Sequence, residues 1–251
     1  MHHIPFFKQA AINAAHSGAA ITAIKAMAEG HSPLVLGQYT RTFEQEFSAY
    51  LGCDSFSFVS NGLEALILAL QGLGIGPGDE VIVPAHTYIA TWLAPLSLGC
   101  RLVACPVKES NLLLDEAQIP GLLTSRTRCI MPVHLYGNAC NMEAIMKLAL
   151  ENQLKVVEDA AQAHGAIEPN SGERIGCHGD AVAFSFYPTK NLGAMGEAGG
   201  VACRDTALAD RINSLRNYGR NAEDGSINDL AGTNARGDEV QAAFLSSKLR
   251  S

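Results

Sequence analysis

A lysine, an aspartate and a glycine turn, each closing an apolar run, are the residues of this chain that could do chemistry together. Residues 60–66 read SNGLEAL. Asn61-Gly62 before a helix presents free backbone N–H groups at the positive end of a helix dipole, which suits a phosphate. Alone, the same residues also fit a plain β-to-α turn in which glycine supplies a positive φ. Residues 86–92, HTYIATW, follow the apolar run VIV and offer an aromatic to stack on a flat group, or simply a core aromatic. Residues 158–165, EDAAQAHG, follow KVV. A carboxylate ending a buried strand is costly unless a positive or protonated group meets it; the plainer reading is a helix N-cap. Residues 183–193, AFSFYPTKNLG, deliver Ser185 and, five residues on, Lys190 into a loop. Between an apolar strand and glycines, desolvation lowers the pKa of a lysine and makes it a nucleophile. In isolation, a solvated loop lysine is the alternative.

The elements that must position these residues alternate. TRTFEQEFSAYLG has helical spacing, with Phe43, Phe47 and Tyr50 on one face. FSFVS is a short strand, and LEALILALQGLG a buried helix. EVIVPA, RLVACPV, RTRCIMPVHLYG, KVVEDA, AVAFSFYP and GGVACRD each carry a strand. NMEAIMKLALENQ and TALADRINSLRNYG carry helices. This alternation predicts an α/β fold, a three-layer α/β/α sandwich with a mostly parallel central sheet. In open sheets of this kind, ligands bind at the edge where all four patches fall. The first 35 residues and residues 219–235 are the least regular.

Composition narrows the function classes. The 251 residues are 47% hydrophobic and 17% charged, an ordinary globular balance. A net charge of −7 gives no electrostatic footprint for nucleic acid or an anionic membrane. Residues 81–100 lack charge, but Pro84 and Pro95 interrupt them, so a strand, a loop and a buried helix fit better than a membrane span. Seven scattered cysteines form no C-x-x-C pair, so no zinc or thioredoxin-type site is expected, and no other metal site. They read as reduced thiols. With a start that has no basic segment before an apolar core, they point to the cytoplasm. G-x-x-x-x-G-K-[ST] and G-x-S-x-G are absent, and Gly74, Gly76 and Gly78 precede a strand, which defeats a dinucleotide reading.

The joint order is more specific than any one patch. A glycine turn, an aromatic, an aspartate and a lysine 31 residues beyond it supply what pyridoxal 5′-phosphate needs. Those needs are a phosphate cradle, a ring stack, an acid partner for the ring nitrogen and a Schiff-base lysine. At this point the chain resembles the sugar-nucleotide aminotransferases of the DegT/DnrJ/StrS type, in fold type I of the pyridoxal phosphate enzymes. The resemblance runs from about LVLGQYTRTFEQEFSAYLG to the last residue. It includes GIGPGDEVIVPAHTYIAT, PVHLYGNACNMEAI, VVEDAAQAHGA, GDAVAFSFYPTKNLGAMGEAGG, LRNYG and DEVQAA.

The resemblance implies roles. Lys190 forms the Schiff base and then shuttles a proton. Asp159 pairs with the ring nitrogen and keeps it protonated. Gln162 bonds the ring hydroxyl, and Tyr88 stacks on the ring. Gly62 and Leu63 hold the phosphate through backbone N–H groups, helped by Ser185. Asn234, in the GTNAR segment, reaches the phosphate of the neighbouring subunit, which implies a homodimer with a shared site. His164 is structural or supports the site from behind. The family's dehydratase branch has histidine in place of the Schiff-base lysine, so Lys190 favours transamination.

The implied substrates are L-glutamate as donor and a keto-sugar nucleotide as acceptor. NGLEAL, HTYIAT and SFYPTKNLG are similar to the branch acting on dTDP-linked 3-keto-6-deoxyhexoses, in ping-pong order, for amino sugars of surface polysaccharide such as O-antigen. Two rival readings are a catalytically silent cofactor-binding fragment and an amino-acid aminotransferase of the same fold. Residues 1–35 are expected to be an N-terminal segment of the cofactor-binding large domain, residues 36–251. The chain is expected to end inside the helix DEVQAAFLSSKLRS, without the family's small C-terminal domain. Gly237 stands where the family usually has a bulky apolar residue. Glycine in an incipient helix costs about 1 kcal/mol, so looser packing near Asn234 is expected.

Overall fold

The computed structural model describes residues 8–251. Helices α1 (Gln9–Ala14) and α2 (Ser17–Ala28) come first. They correct the expectation of an irregular first 35 residues. Only Ala20 and Ala23 of α2 are buried, so its apolar face is too small to give a clear helical period. Helix α3 (Gln38–Leu51) buries Thr40, Phe43, Phe47 and Leu51, at the spacing of one helical face, and stops at Gly52 in the left-handed conformation. Tyr50, expected on that face, lies at its edge and stacks on Phe47.

Seven strands form one sheet: β1 (Ser55–Val59), β2 (Glu80–Pro84), β3 (Arg101–Cys105), β4 (Thr127–Ile130), β5 (Lys155–Asp159), β6 (Ala181–Ser185) and β7 (Gly199–Cys203). Their order is β1-β7-β6-β5-β4-β2-β3. All run parallel except β7, which pairs antiparallel with both β1 and β6. The expected three-layer, mostly parallel sandwich is what forms.

Both sheet faces are buried, and alternate residues divide between them. Phe56, Phe58, Ile82 and Phe184 face a core shared with α3, helix α6 (Met142–Glu151) and helix α8 (Glu239–Leu249). Val59, Val81, Val83 and Val201 face the other core, with helices α4 (Gly62–Gly72) and α7 (Thr206–Leu215). Helix α5 (Ala90–Ser97) follows β2 through a short loop, as residues 81–100 predict. Residues 219–235 lack regular structure, as expected.

Two findings correct the sequence reading. Gly237 precedes α8, whose N-cap is Asp238, so it loosens no helix. A Cβ there would stand 2.2 Å from the Phe58 ring, so the aromatic takes the room of a side chain at 237. At its other end, α8 runs to Leu249, and Ser251 N–H donates to Lys248 O at 3.2 Å. Cys53 and Cys177 are joined as a disulfide, with Cα atoms 5.7 Å apart and a separation of 124 positions in sequence. That separation hides the pair from a reading based on local spacing. Cys100, Cys105, Cys129, Cys140 and Cys203 are free and buried.

Candidate active site

The carboxyl ends of β1, β2, β5 and β6 converge on a cavity of about 800 Å³. Gly62, Leu63, Tyr88, Asp159, Gln162, Ser185 and Lys190 all line it. Seven of the eight expected site residues therefore meet in one place. Asn234 does not line this cavity; its side chain accepts from Arg236 Nε at 2.9 Å.

The β1–α4 turn builds one wall. Asn61 caps the helix by accepting from Glu64 N–H at 2.9 Å. The N–H groups of Gly62 and Leu63, in the first turn, have no intrahelical acceptor and no other backbone acceptor among the described residues. A Cβ on Gly62 would stand 2.6 Å from Ser185 Cβ, so glycine brings these donors against the Ser185 hydroxyl. Gly199 is a second requirement that the sequence did not announce. A Cβ there would lie 2.3 Å from the Asn61 carbonyl, so the start of β7 supports the turn from beneath.

Asp159 ends β5 on the floor of the cavity and is 6% exposed. Its Oδ1 accepts from Ala161 N–H at 3.1 Å and its Oδ2 from the Thr91 hydroxyl at 2.8 Å. Burial raises its pKa above the usual carboxylate value, opposed by the Thr91 and Ala161 hydrogen bonds and by Lys190. A cationic group brought to the floor would meet a carboxylate already shielded from water, where the pairing is strong.

Lys190 lies in the turn after β6, its N–H donating to Tyr187 O at 2.8 Å. Burial lowers its pKa, with Asp159 opposing the shift. More of its amine is uncharged near neutrality than in a solvated lysine, and the uncharged amine is the nucleophile. Helix α8 holds this loop. Lys248 Nζ donates to Gly193 O at 2.7 Å, and Gln241 accepts from Met195 N–H at 3.0 Å.

Gln162 is oriented by a contact the sequence did not predict. Its Oε1 accepts from Tyr136 N–H at 2.7 Å, where Tyr136 takes φ 59°. The amide NH₂ of Gln162 is left to donate. Tyr88 is 71% exposed at the mouth, free to lie over a bound ring. Glu197 also lines the cavity and was not anticipated.

Beneath the floor lies a buried pair. His134 Nε2 and Glu158 Oε2 are 2.9 Å apart, and both side chains are wholly buried. Cys140 N–H donates to His134 Nδ1 at 3.1 Å, so the ring keeps a proton on Nε2, aimed at Glu158. Glu158 Oε1 accepts from His178 N–H at 3.1 Å and Gly179 N–H at 2.6 Å. Burial opposes its ionisation, but these donors hold its pKa below the usual value. His164 packs between Phe184 and Phe186, its ring centroid 5.5 Å from each, and burial lowers its pKa to about 4. It sits behind the site rather than on the cavity lining.

A free pair of helix-terminal N–H groups, an exposed aromatic, a buried carboxylate and a desolvated amine fit the phosphate, ring, ring nitrogen and aldehyde of pyridoxal phosphate. Known proteins agree. The DegT/DnrJ/EryC1/StrS aminotransferase family matches residues 16–251, and the chain belongs to it. A dTDP-3-amino-3,4,6-trideoxy-alpha-D-glucose transaminase of Streptomyces venezuelae is 48% identical over 215 residues, 86% of this chain and 56% of the relative. A dTDP-3-amino-3,6-dideoxy-alpha-D-galactopyranose transaminase of Aneurinibacillus thermoaerophilus is 44% identical over 86% of this chain and 58% of its own length. The chain thus spans little more than half of these relatives.

Among solved structures, S. venezuelae DesV in complex with a ketimine intermediate superposes with a TM-score of 0.90 at 45% identity. The match covers 98% of this chain and 65% of that one. Bacillus subtilis NtdA with bound PMP gives 0.89 at 28% identity, covering 100% and 56%. The expected cofactor, pyridoxal phosphate, is the family's cofactor. Among the described residues no helix is long and apolar enough to cross a membrane.

Proposed function

We propose that this chain carries the cofactor-binding and catalytic floor of a pyridoxal phosphate-dependent aminotransferase that moves an amino group from L-glutamate to a keto-sugar nucleotide. The observation that carries this is the meeting of Lys190, Asp159 and the Gly62–Leu63 donors in one cavity. In this reading the N–H groups of Gly62 and Leu63, with the Ser185 hydroxyl, bind the phosphate, and Tyr88 covers the ring. Gln162 donates to the ring hydroxyl. Asp159 holds a proton on the ring nitrogen. Pyridoxal phosphate, when bound, supplies an electron sink for negative charge at the amino-acid α-carbon. Lys190 anchors it and, once released, takes and returns the proton at that carbon.

Relatives named for dTDP-3-amino sugars support a dTDP-linked 3-keto-6-deoxyhexose as acceptor. Glutamate would load the amino group and leave as 2-oxoglutarate before the sugar enters. The product class is an amino-sugar nucleotide for surface polysaccharide. We also propose that residues 36–251 form the large domain with residues 1–35 as its N-terminal segment. The protein would act as a homodimer in the cytoplasm; its five free buried thiols fit a reducing compartment, whereas the Cys53–Cys177 disulfide does not.

Borohydride reduction of the cofactor-saturated protein tests the site. A pyridoxyl group on the Lys190 peptide is expected, and its absence would overturn the assignment. Glutamate with a panel of keto-sugar nucleotides and plain keto acids tests the substrate. Turnover of keto acids alone would replace the sugar reading with the amino-acid one. A pyridoxyl group with no turnover of either would support a silent cofactor-binding chain.

A further inference from the structure

We infer that Thr87 and Thr91 form a hydroxyl relay that aims Asp159 at the bound ring nitrogen, with Thr91 as the positioning residue and Thr87 as the cavity end of the relay. The inference rests on the pyridoxal phosphate reading of the site. Thr91 is wholly buried, and its Oγ1 lies 2.8 Å from Asp159 Oδ2 and 2.9 Å from Thr87 Oγ1. Each hydroxyl has one proton to give. An ionised carboxylate only accepts, so the proton of Thr91 goes to Asp159. The contact between the two threonines must then use the proton of Thr87. Thr87, which lines the cavity, is left facing it with lone pairs alone.

The direction of the chain is therefore tied to the charge of Asp159. Were Asp159 to carry a proton on Oδ2 and give it to Thr91, both bonds would reverse and Thr87 could donate into the cavity. With Ala161 N–H on Oδ1 and Thr91 on Oδ2, the carboxylate has a donor on each oxygen and little freedom to rotate. The other titratable groups acting on it are Lys190 and His134. Neither makes a hydrogen bond to the carboxylate, so Thr91 is its one side-chain donor among the described residues.

Thr91→Val keeps the shape and removes the hydroxyl, and Thr91→Ser keeps the hydroxyl. Two measurements follow. Pyridoxal phosphate binding, read by absorbance, is expected to weaken about tenfold to a hundredfold in Thr91→Val, the size of a lost hydrogen bond to a charged group. Thr91→Ser is expected to stay within about threefold of the parent, on the same reasoning. Carbon-13 NMR titration of the Asp159 carboxyl, without added cofactor, is expected to move to higher pH in Thr91→Val and return in Thr91→Ser. Thr87→Val is expected to give a smaller change in both, because Thr91 still donates. Parent-like values for Thr91→Val in both measurements would overturn the relay. So would a Thr91→Ser protein as impaired as Thr91→Val. If the parent protein takes up no pyridoxal phosphate, the functional reading fails, and the carboxyl titration still decides the relay.

Discussion

Lys190 and Asp159 depend on opposite effects of the same burial: it favours the uncharged amine of one and makes the charge of the other valuable to a cation. Lys190→Ala is expected to abolish the borohydride-trapped pyridoxyl group, read by peptide mass spectrometry. Asp159→Asn leaves the shape and removes the charge, and is expected to lower transamination by about a hundredfold or more. Steady-state kinetics with saturating cofactor reads this. Glu158 makes a different prediction. Its folded pKa is depressed, so its contribution to stability is complete above the ordinary carboxylate value of about 4.3 and is lost as pH falls through the lower folded value. Glu158→Gln turns an amide NH₂ toward N–H donors and is expected to cost about 2–3 kcal/mol at neutral pH, less in acid. Urea unfolding at pH 7 and pH 4 checks both the size and the sign. Asp159 was legible in the sequence because it closes an apolar strand, and Lys190 because it sits in a loop between an apolar strand and glycines. Thr91 and His134 were not, because their partners lie 68 and 24 residues away and only the sheet brings them together.

At the scale of elements, glycines set how closely the parts approach. Gly62→Ala would press a methyl into Ser185, and is expected to weaken pyridoxal phosphate binding about tenfold or more by pushing the helix donors off the phosphate. Equilibrium titration by absorbance measures it. Gly237→Ala meets the Phe58 ring and is expected to destabilise the fold by about 1–3 kcal/mol. Phe58→Leu in the same chain should recover part of that loss, giving a measurable coupling in a double-mutant cycle of unfolding free energies. Strands and helices of the central sandwich were legible because their apolar residues repeat with periods of two or 3.6. Helix α2 was not, because little of it is buried. Gly237 was misread for a related reason: helix propensity is local, whereas the Phe58 ring that excludes a side chain there belongs to β1.

At the scale of the whole molecule, the proposed dimer places Lys190 of one subunit with Asn234 of its partner. Lys190→Ala and Asn234→Ala proteins, each impaired, are then expected to regain activity when unfolded and refolded together. Random pairing would restore about a quarter of the sites. No recovery in mixed dimers, verified by mass, would show that each chain completes its own site. The parallel sheet was legible, since strand and helix alternate along most of the chain. The reversal of β7 was not, because GGVACRD reads the same in either direction of pairing. The contacts from Gln241 and Lys248 to the lysine loop have one more consequence. They span 46 and 55 residues of sequence, and both anchors are in α8. During synthesis the Lys190 loop therefore emerges well before the helix that holds it. Cofactor capture should lag behind appearance of the lysine itself, so nascent chains released before α8 would carry the reactive amine without a settled site to hold its partner.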